Sequence, residues 1–342
     1  MSSNPSQIGT LGHRVGVWLR NANLASSGSA GDIWADRVQS ADPTATHNIQ
    51  DYYELGRVSK IGVTADPTEY RFVLEENLHN SEIDMYLAGV NPTSGSGYDA
   101  TDLVTQSNTG YIVWRNDSDS VFQELAFGSL RQAEIQYRFV SNGACTVQYT
   151  LEGTSGSRYT TAGTFVHPLW GAQDTSSPGG IHGKDARIAF TANAAANKTY
   201  RLQSFTLRIQ YPIQTVRELG SRQLVGKLSD SPNVTCDFDL LPGDEQPDDV
   251  FFATSTDGGA THYDFGSPQT VPATFINVYD PTLAEGASVI KSFKLENLRP
   301  ASNMPSTARV RQLTTARYSL TSTGETTLGT SGVIVSKTEI TS

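Results

Sequence analysis

The chain of 342 residues has little of what marks a disulfide scaffold, a membrane protein or a protein that grips nucleic acid. It has only two cysteines, Cys145 and Cys236, so it is no disulfide framework, and we predict two small, buried, free thiols in a reducing compartment. No apolar run of about 18 residues occurs, so no membrane span is predicted. The net charge of −10 argues against a surface that holds phosphates, since Lys and Arg supply such contacts.

The sequence also lacks the motifs of an active site. Its six histidines show no HExxH or comparable ligand spacing, and no G-x-S-x-G nucleophile elbow is present. Glu75 and Glu76 are adjacent in a strand-like segment, so their side chains point to opposite faces and cannot flank one glycosidic bond. The acidic runs 117–120 and 244–249 do not have EF-hand spacing. We therefore predict no enzyme activity, no metal and no cofactor.

Turn-forming residues, by contrast, are abundant. The chain contains 30 Gly and 15 Pro but only three Met, a composition typical of many short strands joined by turns. The segment RLQSFTLRIQY, residues 201–211, places Phe205, Leu207 and Ile209 on one face, which is the period of a half-buried strand. The predicted fold class is therefore mainly β.

A long internal repeat organises the chain. Residues 37–66 and 201–230 align without a gap at a shift of 164 positions, and ten of the thirty aligned residues are identical. Duplication is the simplest explanation of such a match. The predicted organisation is a first domain at 1–165, a Gly/Ser/Pro-rich linker at 166–183 and a second domain at 184–342.

Two local predictions concern the ends of strands in the repeat. Pro43 interrupts the first copy where the second has a clean strand, so residues 41–48 are predicted to be an edge strand or a loop. Short helical turns are predicted at 48–56 and 212–220, because each segment ends in a Gly suited to the position after a helix.

The repeated pattern is an Arg-x-Gln-Ser segment, then Glu-Leu-Gly, then about ten residues to an Asp-Pro or Asp-Ser-Pro (53–67 and 217–232). It resembles the tail tube proteins of tailed bacteriophages, especially those with two tube domains in one chain. The resemblance implies two tandem sandwich- or barrel-like β domains, each with a short flanking helix, whose ring strands close an inner β-barrel. It implies a structural virion protein, assembled in the host cytoplasm, whose chains form stacked rings that conduct DNA during ejection. Three duplicated chains would make a pseudo-sixfold ring.

The resemblance also implies the partners: further copies of the chain, a tape-measure protein, and terminator and distal tail proteins. DNA would pass through the lumen without specific binding, and no membrane partner is expected. Two alternatives remain open at this point. The chain could be a tail-end ring protein that does not polymerise, at the distal or the terminator end, or a two-domain β adhesion or binding module.

The candidate functional residues belong to two groups. Loops around the repeated motif are predicted to make contacts between subunits or between rings, through Arg57, Lys60, Asp66, Ser221, Arg222, Lys227 and Asp230. Acidic residues are predicted to line the lumen and repel phosphates, namely Glu75, Glu76, Asp244, Glu245, Asp248 and Asp249. The alternative for the acidic group is a solvated outer face or a contact between rings.

Overall fold

The structure is a computed structural model. It describes residues 15–26, 32–35, 37–47, 49–52, 54–55, 59–60, 62–65, 67–79, 82–92, 94–116, 118, 120–161, 163–167, 180–189, 202–219, 224–241, 248–257, 260–283, 288–302, 316–322 and 333–340. Below, the described residues up to 167 are called the first half, and those from 180 onward the second half.

Strands dominate both halves. The first half contains β1 (Val15–Asn21), β2 (Asp32–Ala35), β3 (Val38–Thr46), β4 (Ile49–Tyr52), β5 (Gly62–Ala65), β6 (Glu69–Asn77), β7 (Gly97–Asp99), β8 (Asn108–Arg115), β9 (Val121–Val140), β10 (Thr146–Gly153) and β11 (Ser155–Tyr159). The second half contains β12 (Ala186–Ala189), β13 (Leu202–Gln210), β14 (Ile213–Val216), β15 (Gly226–Ser229), β16 (Asn233–Leu240), β17 (Phe252–Asp257), β18 (Ala260–Pro268), β19 (Val271–Tyr279), β20 (Val289–Ser302), β21 (Ala316–Ser322) and β22 (Val333–Ser336).

The helices are short. They are α1 (Ala22–Ser26), α2 (Glu82–Leu87), α3 (Asp102–Thr105) and α4 (Asp248–Phe251), with one 3₁₀ turn at Gly183–Asp185. The prediction of a mainly β chain with short helices is confirmed.

One antiparallel sheet of 16 strands runs through both halves, and each half contributes the same kind of path. In the first half the neighbours are β3, β6, β10, β9, β8 and β1, in that order. In the second half they are β13, β16, β21, β20, β19 and β12. Since β13 also pairs with β9, the two paths form one continuous sheet.

The irregularities of the two paths fall at corresponding places. A bulge interrupts β3 between Val38 and Ser40, and another interrupts β13 between Leu202 and Ser204. Ser129 in β9 and Asn297 in β20 both have φ of 53°, in the left-handed region that few non-glycine residues adopt. Such bulges are features that a fold retains, because they set strand bending and twist.

Period-two patterns explain which faces are buried. Val147, Tyr149 and Leu151 in β10 have no exposed surface. Gln148 and Glu152, on the opposite face, are partly exposed, and only Thr150 on that face is buried. The predicted face of β13 is confirmed in the same way, since Phe205, Leu207 and Ile209 are buried. Side chains from both halves join one core cluster, so the fold has a shared interior.

The predicted helical turns at 48–56 and 212–220 are wrong. Residues 49–52 and 213–216 are strands, which pair with 62–65 and 226–229 to form two separate hairpins. We call β4 with β5 the first arm and β14 with β15 the second arm. Their pairing is equivalent, since Tyr52 lies opposite Gly62 and Val216 opposite Gly226. A cross-strand partner outweighs a local helical tendency of so few residues.

The prediction of an edge at Pro43 is confirmed. Among the described residues β3 is the terminal strand of the sheet and pairs only with β6, with Pro43 opposite Phe72. Proline cannot donate a ladder hydrogen bond, so it is tolerated at a sheet edge. The corresponding strand β13, which lacks proline, lies inside the sheet between β9 and β16.

Candidate functional site

The junction between the halves is built first from strand pairing. Residues 204–210 of β13 lie antiparallel to residues 134–140 of β9, with Phe205 directly opposite Phe139 and their ring centroids 5.6 Å apart. At the outer face the Arg208 Nε atom lies 3.1 Å from the Glu134 carboxylate. The backbone ladder and the aromatic pair thus hold the second half onto the first.

A buried polar cluster crosses the same junction. Asp84 of α2 and Lys291 of β20 are both fully buried and form an ion pair. The Tyr137 hydroxyl donates to Asp84 at 2.6 Å, and the Tyr149 hydroxyl donates to the other carboxylate oxygen. The Lys291 ammonium lies 4.5 Å from the centroid of the Tyr137 ring. Burial, and next the Asp84 charge, raise the pKa of Tyr137 and Tyr149 well above its usual value, so both stay hydrogen-bond donors.

The second arm lies across the first half. Lys227 of β15 contacts Glu152 of β10, with Nζ and Oε2 2.6 Å apart, and the Lys227 side chain is only 2% exposed. At the base of the arm the Tyr211 hydroxyl donates to the Ala100 carbonyl at 3.0 Å. These contacts fix the arm's position on the neighbouring half.

The end of each arm carries an unusual exposed leucine. Leu55 of the first arm and Leu219 of the second are 104% and 106% exposed, as much as in an extended peptide. They are the matched leucines of the two Glu-Leu-Gly motifs. A single exposed leucine is ordinary, but the same residue fully exposed at two equivalent points is typical of a surface that another molecule covers.

No protein-family model matches the chain. No curated protein matches it either. Solved structures do: a chain of the anti-feeding prophage baseplate, from a six-fold symmetrised cryo-electron microscopy structure, is 14% identical with a TM-score of 0.33, covering 47% of this chain and 98% of that one.

Two Hcp1 structures are also similar. A double mutant of Hcp1 from the E. coli EAEC 042 pathovar is 12% identical with a TM-score of 0.26, covering 46% of this chain and 99% of that one. Hcp1 from Salmonella typhimurium is 12% identical with a TM-score of 0.23, covering 44% and 88%. With TM-scores below 0.5, none of these likenesses carries a functional conclusion for this chain.

The predicted contact residues have different positions. Arg57, Asp66, Ser221 and Arg222 lie outside the described residues. Lys60 and Asp230 are exposed, and Lys60 forms an ion pair with Asp51 of its own arm at 2.5 Å. Lys227 corrects the prediction, because it is buried against Glu152 of the same chain and is not available to a second one.

The predicted acidic lumen is corrected at one residue. Glu76 is 2% exposed, with a carboxylate oxygen 3.2 Å from the Tyr149 hydroxyl oxygen, so it cannot present its charge to a channel. Glu75 on the opposite face is partly exposed. Asp244 and Glu245 lie outside the described residues. Asp248 and Asp249 belong to α4.

The two cysteines are as predicted. Cys145 and Cys236 are buried free thiols. Burial raises the pKa of Cys145 to about 11 and raises that of Cys236 further, so both remain unreactive thiols at neutral pH. Among the described residues no group of three His, Cys, Asp or Glu side chains is placed to hold a metal ion. No helix within that part of the chain is long and apolar enough to span a membrane.

A histidine at the end of the first half is stacked among aromatic rings. The His167 ring lies parallel to that of Trp18, with centroids 4.7 Å apart, and edge-on to Tyr111. The Glu124 carboxylate accepts the His167 backbone N–H at 2.9 Å, and Asp32 lies 3.8 Å from the ring Nε2. Burial lowers the pKa of His167, and the two carboxylates partly offset that effect.

We expect stability to fall as the pH decreases through about 6.5, where an unfolded histidine takes up a proton that folded His167 resists. Urea unfolding between pH 8 and pH 5 measures this effect. His167→Asn should reduce the loss on acidification. An equal slope in wild type and His167→Asn would contradict the assignment.

Sequence reasoning missed the Asp84–Lys291 cluster, although one signal pointed to it. In VIKSFKLENL, Lys291 shares a period-two face with Phe293 and Leu295, both of which are fully buried. A lysine on the apolar face of a strand is rarely buried without a partner. The identity of that partner could not be read from the sequence, because Asp84 lies 207 residues away.

Proposed function

We propose that the chain is a structural subunit of a phage-type tail tube, which associates head to tail with further copies into rings that stack. The observation that carries this proposal is the repeated strand path, β3 to β1 in the first half and β13 to β12 in the second. Like units joined head to tail through one kind of contact form a ring when the rotation closes.

We base this assembly on a proposed duplication of one domain. The matched sequence segments, the shared order of strand pairing and the corresponding bulges all relate the first half to the second. If six such domains complete a ring, three chains supply them with pseudo-sixfold symmetry. The β3 edge also favours closure, because an open edge is a hazard that a closed ring removes.

The negative net charge of the chain suits a channel that conducts DNA. A net charge of −10 repels phosphates, whereas each Lys–phosphate contact would release counterions and favour capture. Glu75 is the predicted lumen residue that the structure leaves partly exposed. The proposed location is the virion tail, with tape-measure, terminator and distal tail proteins as the partners that such a tube requires.

Cryo-electron microscopy of the purified full chain, with class averages viewed end-on, tests the proposal. We expect three-chain rings with six similar lobes around a central hole, stacked into tubes. Rings that never stack would replace it with a tail-end ring protein, either distal or terminator. A persistent monomer would overturn it in favour of a two-domain binding or adhesion module.

The exposed leucines provide a prediction about stacking. Leu55→Asp combined with Leu219→Asp should shorten tubes at least about tenfold while rings still form, because a charge in a buried contact is strongly unfavourable. Both side chains are fully exposed in the single chain, so the variant should fold. Leu283→Asp, at a leucine 52% exposed, is the matched control and should leave tube length unchanged. Tubes of normal length from the double variant would exclude the arm tips from the ring–ring contact.

A further inference from the structure

We infer that the first arm docks on the second half of a neighbouring copy of this chain, in the way that the second arm docks on the first half of its own chain. This inference rests on the proposed ring and names the surface through which two chains meet. It requires that the contact seen within one chain has an equivalent between chains.

The contact within the chain is well defined. The second arm is held by the Lys227–Glu152 ion pair and by an exposed pair between Arg217 and Glu69, 3.4 Å apart. Leu224, just before β15, is only 8% exposed. Ile213 at the start of the arm is partly buried and borders a cavity of about 340 Å³ that Glu152 also lines. The second arm is therefore an embedded element of the junction.

The first arm has the same hairpin, but its described residue Ile49 lacks that cover. Ile49 occupies the position of Ile213 and is 62% exposed. The two isoleucines have equivalent partners across their hairpins, Ala65 for Ile49 and Ser229 for Ile213. Ile213 is thus covered by the first half, whereas the equivalent Ile49 is exposed. This difference indicates that the second half of another copy covers the first arm in the assembly.

The receiving surface is present on the second half. Glu152 in β10 lies opposite Arg131 of β9, and Thr321 in β21 lies opposite Arg299 of β20. In both halves one further residue pair separates this pair from a bulge, between Thr150 and Leu151 in the first half and between Pro300 and Ser302 in the second. Thr321 is therefore the counterpart of Glu152 on the second half.

The residue that should meet Thr321 follows from the arm. Lys227 pairs with Thr215 across the second arm, and Val63 pairs with Asp51 across the first. Val63 is therefore the counterpart of Lys227. If the first arm docks on a neighbouring copy as the second arm docks within its own chain, Val63 of one copy lies at Thr321 of the next. These two neutral residues then take the places of Lys227 and Glu152.

The two junctions then differ in chemistry although they share their geometry. The first arm carries an ion pair of its own, Lys60 with Asp51, at positions that correspond to Leu224 and Thr215 of the second arm. A Lys–Glu contact within the chain and a Val–Thr contact between chains would keep the two arms from exchanging their sites.

A charge-pair experiment tests the inference. Val63→Lys combined with Thr321→Lys places like charges at the proposed contact, and we expect the chain concentration for half-maximal ring formation to rise at least about tenfold. Val63→Lys combined with Thr321→Glu reproduces the Lys227–Glu152 pair between chains, and ring formation should return to within about threefold of wild type. Native mass spectrometry and sedimentation velocity measure the ring fraction.

The control adds the same charge elsewhere. Ser118→Lys combined with Leu283→Lys, both at exposed positions, should form rings as wild type does. If wild type forms rings and the Lys/Lys variant forms them equally well, the arm inference is overturned and the proposed function stands. A Lys/Glu variant no better than Lys/Lys would also overturn it. A wild type that forms no rings overturns the proposed function itself.

Discussion

Lys291→Met should lower the free energy of unfolding by about 3–5 kcal/mol, because it leaves the Asp84 carboxylate buried without its cation. Lys291 and Asp84 are fully buried, so water cannot replace the lost partner. Methionine has a similar length and fills the same space, which separates the electrostatic loss from a cavity. Equilibrium unfolding in urea, followed by circular dichroism and tryptophan fluorescence, measures the change.

Lys294→Met is the matched control, since Lys294 is on the same strand and pairs with Glu296 at 2.9 Å at a less buried site. It should cost less than about 1 kcal/mol. Adding Asp84→Asn to Lys291→Met should recover part of the loss, because the double variant no longer buries an unpaired charge. A loss below about 1 kcal/mol for Lys291→Met would contradict the role of the pair.

Phe139→Ala should destabilise the protein by about 3–5 kcal/mol, the usual cost of truncating a buried phenylalanine. Phe139 is 2% exposed and lies between Phe205 and Phe293, with ring centroids 5.6 and 6.4 Å away. All three rings belong to strands that meet at the junction, so the cavity would open between the halves. Because the halves share a core, we expect one unfolding transition at lower temperature in calorimetry.

Arg138→Ala provides the comparison for this variant, at the neighbouring position of β9 on the exposed face. Its effect should stay within about 0.5 kcal/mol. Two separate transitions in the Phe139→Ala variant, with the first half unchanged, would instead show that the halves fold independently.

Strand faces were predictable wherever alternation was strong. The apolar face of β13 is as expected, because burial of alternate side chains follows directly from the pleat. The buried thiols of Cys145 and Cys236 are also as expected, because free cysteine behaves as a small apolar side chain. Pro43 also limited its segment to a sheet edge or a loop, since a residue without an N–H cannot donate a hydrogen bond within a sheet. The repeat between 37–66 and 201–230 likewise predicted that β13 would have a counterpart, which β3 is in strand order.

The arms were not predictable in the same way. Segments 48–56 and 212–220 have local features of short helices, yet β5 and β15 turn the described parts into hairpins. Cross-strand pairing depends on residues ten or more positions away, and a local reading cannot weigh it against a helical turn. The exposure of Leu55 and Leu219 also follows from where the hairpins end, not from the motif itself.

The candidate site was predicted only in part, and charge explains the difference. Charged residues are expected at the surface, so the sequence predicts Glu76 as a lumen residue and Lys227 as a contact residue. Both are buried, Glu76 beside the Tyr149 hydroxyl and Lys227 in an ion pair with Glu152. These partners come from other strands, and only the folded chain brings them together.

The sequence by itself determined the mainly β class, the alternating buried faces, the edge at Pro43 and the internal repeat, because each depends on residues close together or on direct comparison of two segments. The tertiary structure alone decided that the second arm lies on the first half, that β13 joins β9, and that Lys291 meets Asp84. The physical reason is that these contacts join residues far apart in the chain. Their free energies depend on burial and pairing, which exist only once both halves have folded against each other.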